Sequence, residues 1–205
     1  MGRISPEKGV DHAIEIARRA GLPLKVAAKV DDADRLYFED AIRPLLAGAG
    51  VEFLGEVGEE EKGALLRGAR ALLFPIDWPE PFGLVMIEAL ACATPVIAFE
   101  RGAAREVLAD PRAGFLCQGR EEAVAAVARL PELPRHGCRE LFEERFTAAR
   151  MTRDYLRIYA GLLGGTSTDA DDADGADEAR ERRRHGAARE RAGAVLHPRD
   201  RGTAG

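Results

Sequence analysis

Short runs of consecutive apolar residues recur along the first 163 residues, and they constrain the fold more than any other feature. They predict strands at 22–30, 51–55, 69–75, 94–99 and 113–117. Helical patterns predict helices at about 7–20, 33–47, 59–68, 83–92, 102–109, 120–130, 137–147 and 149–163. Strands that are apolar on both faces belong to parallel sheets covered by helices on both sides. The sequence therefore predicts an α/β fold, a Rossmann-like, doubly wound parallel sheet.

The start of the chain departs from this alternation. The loop SPEKG at 5–9 and the helix after it follow only MGRI, where a strand–helix repeat requires a strand. In the usual strand order 3-2-1-4-5-6, that first strand is central. We therefore expect residues 1–163 to form one nucleotide-sugar-binding, Rossmann-like domain that is missing its first strand, apart from the end of it.

Residues 164–205 differ in composition from the rest of the chain. Val195 and Leu196 are the only large aliphatic residues there, and an acidic block is followed by an arginine block. Such a segment cannot bury enough apolar surface to offset the entropy of ordering it. We predict a disordered, low-complexity tail over 164–205.

Composition excludes several classes of function. A net charge of −5 gives no case for nucleic-acid binding, and no apolar run approaches the ~20 residues of a membrane span. The first residues contain no apolar signal-peptide core. Cys92, Cys117 and Cys138 lack metal-ligand spacing and are interpreted as reduced core thiols. We expect a cytoplasmic protein with no transmembrane segment and no bound metal.

One segment, PEPFGLVMIEALACATPVIAFERG at 79–102, combines a nearly continuous apolar run with a central acid, Glu88. Its predicted helix at 83–92 is apolar all round, which is typical of a buried helix. A buried carboxylate without partners costs several kcal/mol, so Glu88 must have partners. They are either backbone N–H groups or an arginine in a structural role, or the hydroxyls of a bound ligand.

A second acid, Glu80, lies in the loop between the predicted strand at 69–75 and the same helix. Ligands of doubly wound sheets bind at the carboxyl ends of the strands, where this loop must lie. Gly83 at the helix start allows close approach to the backbone, and the free N–H groups of a first helical turn suit an anion. Two acids around a glycine-led helix start indicate a ligand site.

The loop GRISPEKG at 2–9 is the other candidate for a ligand site. Arg3 and Lys8 flank this strand-to-helix connection. An arginine fork and a lysine point charge together suit a diphosphate. Taken alone, the same loop is also compatible with an ordinary solvated surface loop.

Together these segments resemble the C-terminal, donor-binding domain of the family-4 retaining glycosyltransferases, which have the GT-B fold. The resemblance rests on GRISPEKG, VEFLGEV and above all EPFGLVMIEALACATPVIAF. Glu80 and Glu88 match the E-x7-E signature of that family. The resemblance covers about 2–163 and is most specific over 71–107.

The resemblance assigns a role to each charged candidate. Arg3 and Lys8 would hold the diphosphate of a nucleotide-sugar donor. Glu88 would bind the ribose hydroxyls. Glu80 would bind the hydroxyls of the transferred sugar and is the predicted catalytic residue.

Backbone groups complete the implied site. N–H groups at Phe82, Gly83 and Leu84 would contact the donor, and the backbone at 55–57 would flank the base. Fixed cations and helix N–H groups can stabilise the leaving diphosphate without a metal. The resemblance therefore implies transfer with retention of anomeric configuration, with no cofactor other than the donor substrate.

The sequence departs from the family pattern at three places. Ala93 stands where glycine is usual, so the turn there is expected to be altered. Lys29 and Asp31 stand where many members have a glycine-rich turn. The N-terminal acceptor domain of a GT-B enzyme is missing, so we expect an unknown acceptor and a chain that transfers no sugar alone.

Three functions remain open at this point. The first is a glycosyltransferase donor-domain fragment that acts with an acceptor domain. The second is a non-catalytic nucleotide-sugar-binding fragment, which the missing domain favours. The third is a GT-B nucleotide-sugar epimerase relative, which the intact E-x7-E signature disfavours.

Overall fold

The computed structural model describes residues 2–48 and 50–163. Two three-stranded parallel sheets have the orders β1-β2-β3 and β4-β5-β6. The strands are β1 Gly2–Arg3, β2 Leu24–Lys29, β3 Val51–Gly55, β4 Leu72–Phe74, β5 Val96–Phe99 and β6 Gly114–Cys117. The α-helices are α1 Val10–Ala20, α2 Arg35–Tyr37, α3 Arg43–Leu46, α4 Glu59–Arg67, α5 Leu84–Ala91, α6 Ala104–Val107, α7 Arg120–Arg129, α8 Arg135–Arg145 and α9 Ala148–Leu162.

This architecture confirms the predicted Rossmann-like α/β fold. Every predicted strand overlaps an observed strand, with ends that differ by a few residues, and helices connect the strands. The two orders, β1-β2-β3 and β4-β5-β6, correspond to the two halves of the doubly wound order 3-2-1-4-5-6. The predicted tail at 164–205 lies outside the described residues.

The prediction of one continuous helix at 33–47 is wrong. The segment instead contains a 3-10 turn at Asp32–Asp34, the short α2, a π-helical turn at Phe38–Ile42 and the short α3. Pro44 lies in the first turn of α3. Its ring has no N–H to donate and collides with the preceding turn of an α-helix, so the backbone widens ahead of it.

The first strand contains two residues. Gly2 and Arg3 pair in parallel with Ala28 and Lys29 of β2. The N–H of Ile4 then donates to the carbonyl of Lys29 at 2.8 Å. The Ile4 side chain is fully buried, so the segment enters the core directly before the loop that follows it.

Side chains of the central strands pack on both faces. In β4, Leu72 and Phe74 belong to one core cluster and Leu73 to the other. Ile4, at the end of β1, and Ile97 of β5 share the second cluster, which also includes Leu73. The two sheets therefore share a common core, and their carboxyl ends share one edge of the molecule.

Ala93 lies in the turn directly after α5. Ala93 has φ 56°, the only positive φ of a non-glycine residue in the described part of the chain. Its N–H donates to Leu90, and the N–H of Thr94 donates to Ala89 at 2.8 Å. This is a left-handed helix end, which glycine adopts without strain and alanine does not. The expectation of a turn that differs from the family's stays a prediction, and alanine bears the strain of this conformation.

Candidate functional site

The loops after β1 and β4 are in direct contact at the carboxyl edge of the sheets. Gly9 has φ +64°, and a Cβ added to it would lie 2.2 Å from the carbonyl oxygen of Pro75. The N–H of Asp77 donates to the carbonyl of Glu7 at 3.0 Å. Only glycine at position 9 allows this approach, which fixes the SPEKG loop against the loop that carries Glu80.

The structure brings the predicted residues Lys8 and Glu80 together. Lys8 Nζ lies 2.7 Å from Glu80 Oε2, although 72 positions separate them in sequence. The side chains are 28% and 17% exposed, so the pair is accessible from one side only. The indole Nε1 of Trp78 donates to the same carboxylate oxygen at 3.3 Å. Trp78 is not among the predicted site residues, and its only signal in the sequence is its place in the loop after a central strand.

The loop after β5 holds the backbone of Glu80 in place. The N–H of Ala103 donates to the Glu80 carbonyl at 2.8 Å. A Cβ added to Gly102, which has φ +52°, would lie 2.3 Å from that oxygen. Arg101 Nε donates to Asp77 Oδ1 at 3.0 Å and ties the same two loops together. The main chain at Glu80 is therefore set by the fold before any ligand binds.

The helix start at α5 presents free backbone donors. Gly83 is the N-terminal cap with φ 77° and provides no capping side chain. A Cβ there would lie 2.6 Å from the Met86 side chain and 3.1 Å from the Phe74 ring. The Met86 N–H donates to the Gly83 carbonyl at 2.9 Å, whereas the N–H groups of Leu84 and Val85, which precede it, can bind an anion. Phe82 and Leu84 on either side are exposed, so the predicted backbone contacts remain predictions that the geometry permits.

Glu88 is less buried than predicted. Its side chain is 34% exposed, because α5 is not enclosed on all sides: Leu84, one turn before it, is 64% exposed. The core-facing side of the helix carries Met86, Ala89 and Leu90. The expectation of a wholly buried helix is therefore wrong, since an apolar residue, Leu84, also lies on an exposed face of α5.

The partner of Glu88 in this structure is a lysine, not a backbone N–H group or an arginine. Lys62 Nζ, on α4, lies 2.9 Å from Glu88 Oε1 and 2.7 Å from Glu59 Oε1. Burial lowers the pKa of Lys62, but the hydrogen bonds to Glu59 and Glu88 outweigh burial and raise it above the ordinary value. Lys62 is therefore a charged group beside Glu88, the residue predicted to bind the ribose. Its only sequence signal is a lone basic residue in EEEKG.

Arg3, the second predicted diphosphate ligand, pairs with Glu7. Its guanidinium lies 2.9 Å from Glu7 Oε1, and its side chain is exposed. A hydrogen bond from the backbone and the Arg3 hydrogen bond hold the pKa of Glu7 at about 2. Of the two predicted cations, Lys8 therefore faces the catalytic candidate, and Arg3 lies on the outer side of the same loop.

The loop after β3 is open where the base contact was predicted. Gly55 has φ +70°, and nothing lies within 4 Å of a Cβ added to it. The N–H of Gly58 donates to Glu61 Oε2 at 3.1 Å and caps α4. Gly55 and Val57 are half-buried and Glu56 is exposed, and the predicted role of the backbone at 55–57 remains a prediction.

Other chemistry is sparse in the described part of the chain. Within residues 2–48 and 50–163, no three histidine, cysteine or acidic side chains are grouped closely enough to hold a metal ion. Over the same residues, no helix has the length and apolarity needed to cross a bilayer. Burial raises the pKa of Cys117 and of Cys138 to about 11, so both thiols stay protonated and unreactive near neutral pH.

Comparison with known proteins identifies the family. The family model described as glycosyl transferases group 1 matches residues 1–145. The D-inositol 3-phosphate glycosyltransferase of Rhodococcus erythropolis is 31% identical over 189 residues, which cover 81% of this chain and 42% of that protein. The phosphatidyl-myo-inositol mannosyltransferase of Mycobacterium leprae is 37% identical over 99 residues, covering 48% of this chain and 25% of that protein.

Solved structures show the same fold. AviGT4, a glycosyltransferase involved in avilamycin A biosynthesis, superimposes with a TM-score of 0.66 and 28% identity, covering 81% of this chain and 51% of that one. Anabaena HepE, solved in complex with UDP and glucose, superimposes with a TM-score of 0.64 and 20% identity, covering 78% of this chain and 47% of that one. The chain therefore spans about half the length, or less, of the proteins that it matches.

Proposed function

The chain belongs to the glycosyl transferases group 1 family, and on that premise we propose that it is the donor-binding part of a glycosyltransferase. It takes a sugar from a nucleotide-diphosphate sugar and, together with an acceptor-binding part, transfers it to an acceptor with retention of configuration. The match to about half of each relative supports this division into two parts. The HepE complex with UDP and glucose makes uridine diphosphate the first donor nucleotide to test.

The Lys8–Glu80 contact carries this proposal. It places a cation and a carboxylate side by side at the sheet edge, beside a glycine-led helix start. A sugar diphosphate needs this combination, because its phosphates attract cations and its sugar hydroxyls donate to carboxylates. When the donor binds, its diphosphate takes Lys8 and frees Glu80 for the sugar.

The reaction requires charge separation that these residues can stabilise. Cleavage of the bond between the anomeric carbon and the diphosphate leaves the electron pair, and negative charge, on the diphosphate. That negative charge is stabilised, without a metal, by Lys8, Arg3 and the first-turn N–H groups of α5. Glu80 orients the ring while positive charge develops on the anomeric carbon. Glu88 binds the ribose and takes no part in bond cleavage.

Two features of the whole protein belong to the same proposal. The acceptor is bound by a part of the enzyme other than these 163 residues, so this chain by itself binds donor and transfers nothing. We also propose a cytoplasmic location, because nucleotide sugars are made and used there by enzymes of this class. An epimerase would release free nucleotide diphosphate without an acceptor, whereas the proposed transferase releases it only when an acceptor is present.

A non-catalytic nucleotide-sugar-binding protein is the second candidate function. The half-length match favours it, because donor binding needs only the site described above. The two functions are distinguished by supplying this chain with an acceptor-binding part. Sugar transfer under those conditions supports the transferase. If donor binds and no acceptor-binding part supports transfer, the second candidate replaces the first.

Titration calorimetry of Lys8→Met tests the proposal. We expect uridine diphosphate to bind the 205-residue chain, and Lys8→Met to weaken it roughly tenfold or more, the value for a charged hydrogen bond. Lys8→Met should weaken uridine monophosphate less, since that ligand carries one phosphate and a smaller negative charge. Lys25→Met is the matched control, because Lys25 pairs with Glu52 at 3.1 Å elsewhere on the sheet. Equal loss in both variants, or for both nucleotides, would contradict the proposal.

A further inference from the structure

Lys62 connects the predicted ribose carboxylate to a different part of the chain. It lies on α4, which packs against α5, and its Nζ sits between Glu59 Oε1 at 2.7 Å and Glu88 Oε1 at 2.9 Å. Its side chain is only 20% exposed, whereas Glu59 is almost fully exposed. Lys62 therefore donates to Glu88 from the protein side, not from solvent.

The hydrogen bonds of Glu88 leave one oxygen free. Lys62 binds Oε1, and within the described residues Oε2 has no hydrogen-bond partner. A carboxylate on a helix surface can adopt several rotamers. Lys62, fixed by its place on α4, restricts that choice by holding Oε1 and leaves Oε2 available as an acceptor.

We propose that Lys62 is a positioning residue that aims Glu88 at the ribose hydroxyls of the donor. The inference rests on the proposed function and deepens it, since it identifies what gives the site its preference for a ribonucleotide. A carboxylate held by a cation accepts hydroxyl hydrogens in a fixed direction. The same carboxylate without Lys62 can turn into solvent, and its hydrogen bonds to the ribose then compete with those to water.

A purely structural tie between α4 and α5 makes a different prediction. Loss of such a tie would lower the melting temperature and would affect every nucleotide to the same degree. Loss of a positioning residue affects only ligands that have ribose hydroxyls. Discrimination between ribose and dideoxyribose is therefore the measurement that separates the two roles.

The experiment uses the 205-residue chain and two ligands in titration calorimetry. The first ligand is the diphosphate of uridine, adenosine or guanosine that the unmodified chain binds most tightly, and the second is its 2′,3′-dideoxy counterpart. We expect Lys62→Met to weaken binding of the ribonucleotide about tenfold, the loss of one charge-assisted hydrogen bond. The dideoxynucleotide should bind Lys62→Met and the unmodified chain equally.

Two further variants complete the design. Lys62→Arg keeps a cation beside Glu88 and should restore most of the preference for ribose. Lys25→Met removes a lysine from another ion pair and should leave the preference unchanged. In Lys62→Met, an unchanged ratio of the two affinities overturns the inference, whether both fall equally or neither falls. If the unmodified chain binds none of the three ribonucleotides, the proposed function itself fails, and the inference fails with it.

Discussion

Two lysine–glutamate pairs have their acids on the same β4–α5 segment. They differ in the kind of element that carries each partner. Lys8 and Glu80 join two loops, one after β1 and one after β4. Lys62 and Glu88 join two helices, α4 and α5. The loop pair joins the first sheet to the second, because one loop follows β1 and the other follows β4. The helix pair joins α5 to the helix that connects β3 with β4.

The difference between the pairs indicates which one opens. Both members of the loop pair are proposed donor ligands, so the pair must separate when a donor binds. Only the acid of the helix pair is a proposed ligand, so that pair can stay intact and set the geometry. In the ligand-free chain, Lys8 and Glu80 therefore occupy each other's binding groups. Lys62 keeps Glu88 in one orientation whether or not a ligand is bound.

The largest effect is expected at the acid of the loop pair. Glu80→Gln keeps the shape of the side chain but removes its charge next to the reacting sugar. In a protein that also carries the acceptor-binding part, turnover should fall about a hundredfold or more. Affinity for free nucleotide diphosphate should change little, because that ligand lacks the transferred sugar that Glu80 is proposed to bind. Steady-state kinetics and calorimetry on one preparation test this, and equal losses in both would contradict the division of roles.

The acid of the helix pair should act on binding instead. Glu88→Gln should weaken nucleotide diphosphate binding by roughly 1.5–3 kcal/mol, since a charged hydrogen bond to ribose is lost. Calorimetry with thermal unfolding as its control is the measurement. An unchanged affinity together with a lower melting temperature would make the Lys62–Glu88 pair a structural tie only.

A substitution at Ala93, outside both pairs, should change the stability of the fold without changing nucleotide binding. Ala93 ends α5 in a left-handed conformation, and Ala93→Gly removes that strain. We expect the free energy of unfolding to rise by about 1 kcal/mol. Nucleotide affinity should stay the same, because neither pair is touched. Denaturant unfolding with and without nucleotide checks both, and a change in affinity would show that the turn also controls the site.

The smallest expected effect is the coupling within each pair. Partly exposed ion pairs contribute about 0.2–1 kcal/mol, so both couplings should be small in the ligand-free chain. Double-mutant cycles on unfolding free energy, with and without nucleotide diphosphate, measure them. Lys8–Glu80 coupling should vanish when the ligand is bound, whereas Lys62–Glu88 coupling should persist. Two couplings that respond alike would remove the distinction between the pairs.

Most of the fold follows from local sequence patterns. The continuous apolar strands predict a buried parallel sheet, and the strand–helix alternation predicts that loops after strands share an edge. The proximity of Lys8 and Glu80 follows from that rule alone. Pro44 could have predicted the broken helix, because proline within a helical pattern interrupts it.

The rest of the site depends on packing that the sequence does not encode locally. The apolar residues around α5 gave no sign that one face borders the open edge, so the burial of Glu88 was overestimated. Lys62 lies 26 positions from Glu88, and nothing in EEEKG indicates which acid it contacts. The sequence places an alanine at position 93, but it does not show the left-handed backbone that hydrogen bonds hold at the end of α5.

A structure of the 205-residue chain with uridine diphosphate bound would test the central claim most directly. We expect the phosphates at the first turn of α5, with Lys8 Nζ on a phosphate oxygen and no longer 2.7 Å from Glu80. Glu88 should accept from the ribose while it remains on Lys62. An intact Lys8–Glu80 contact, or a nucleotide bound away from the β4–α5 edge, would contradict the account.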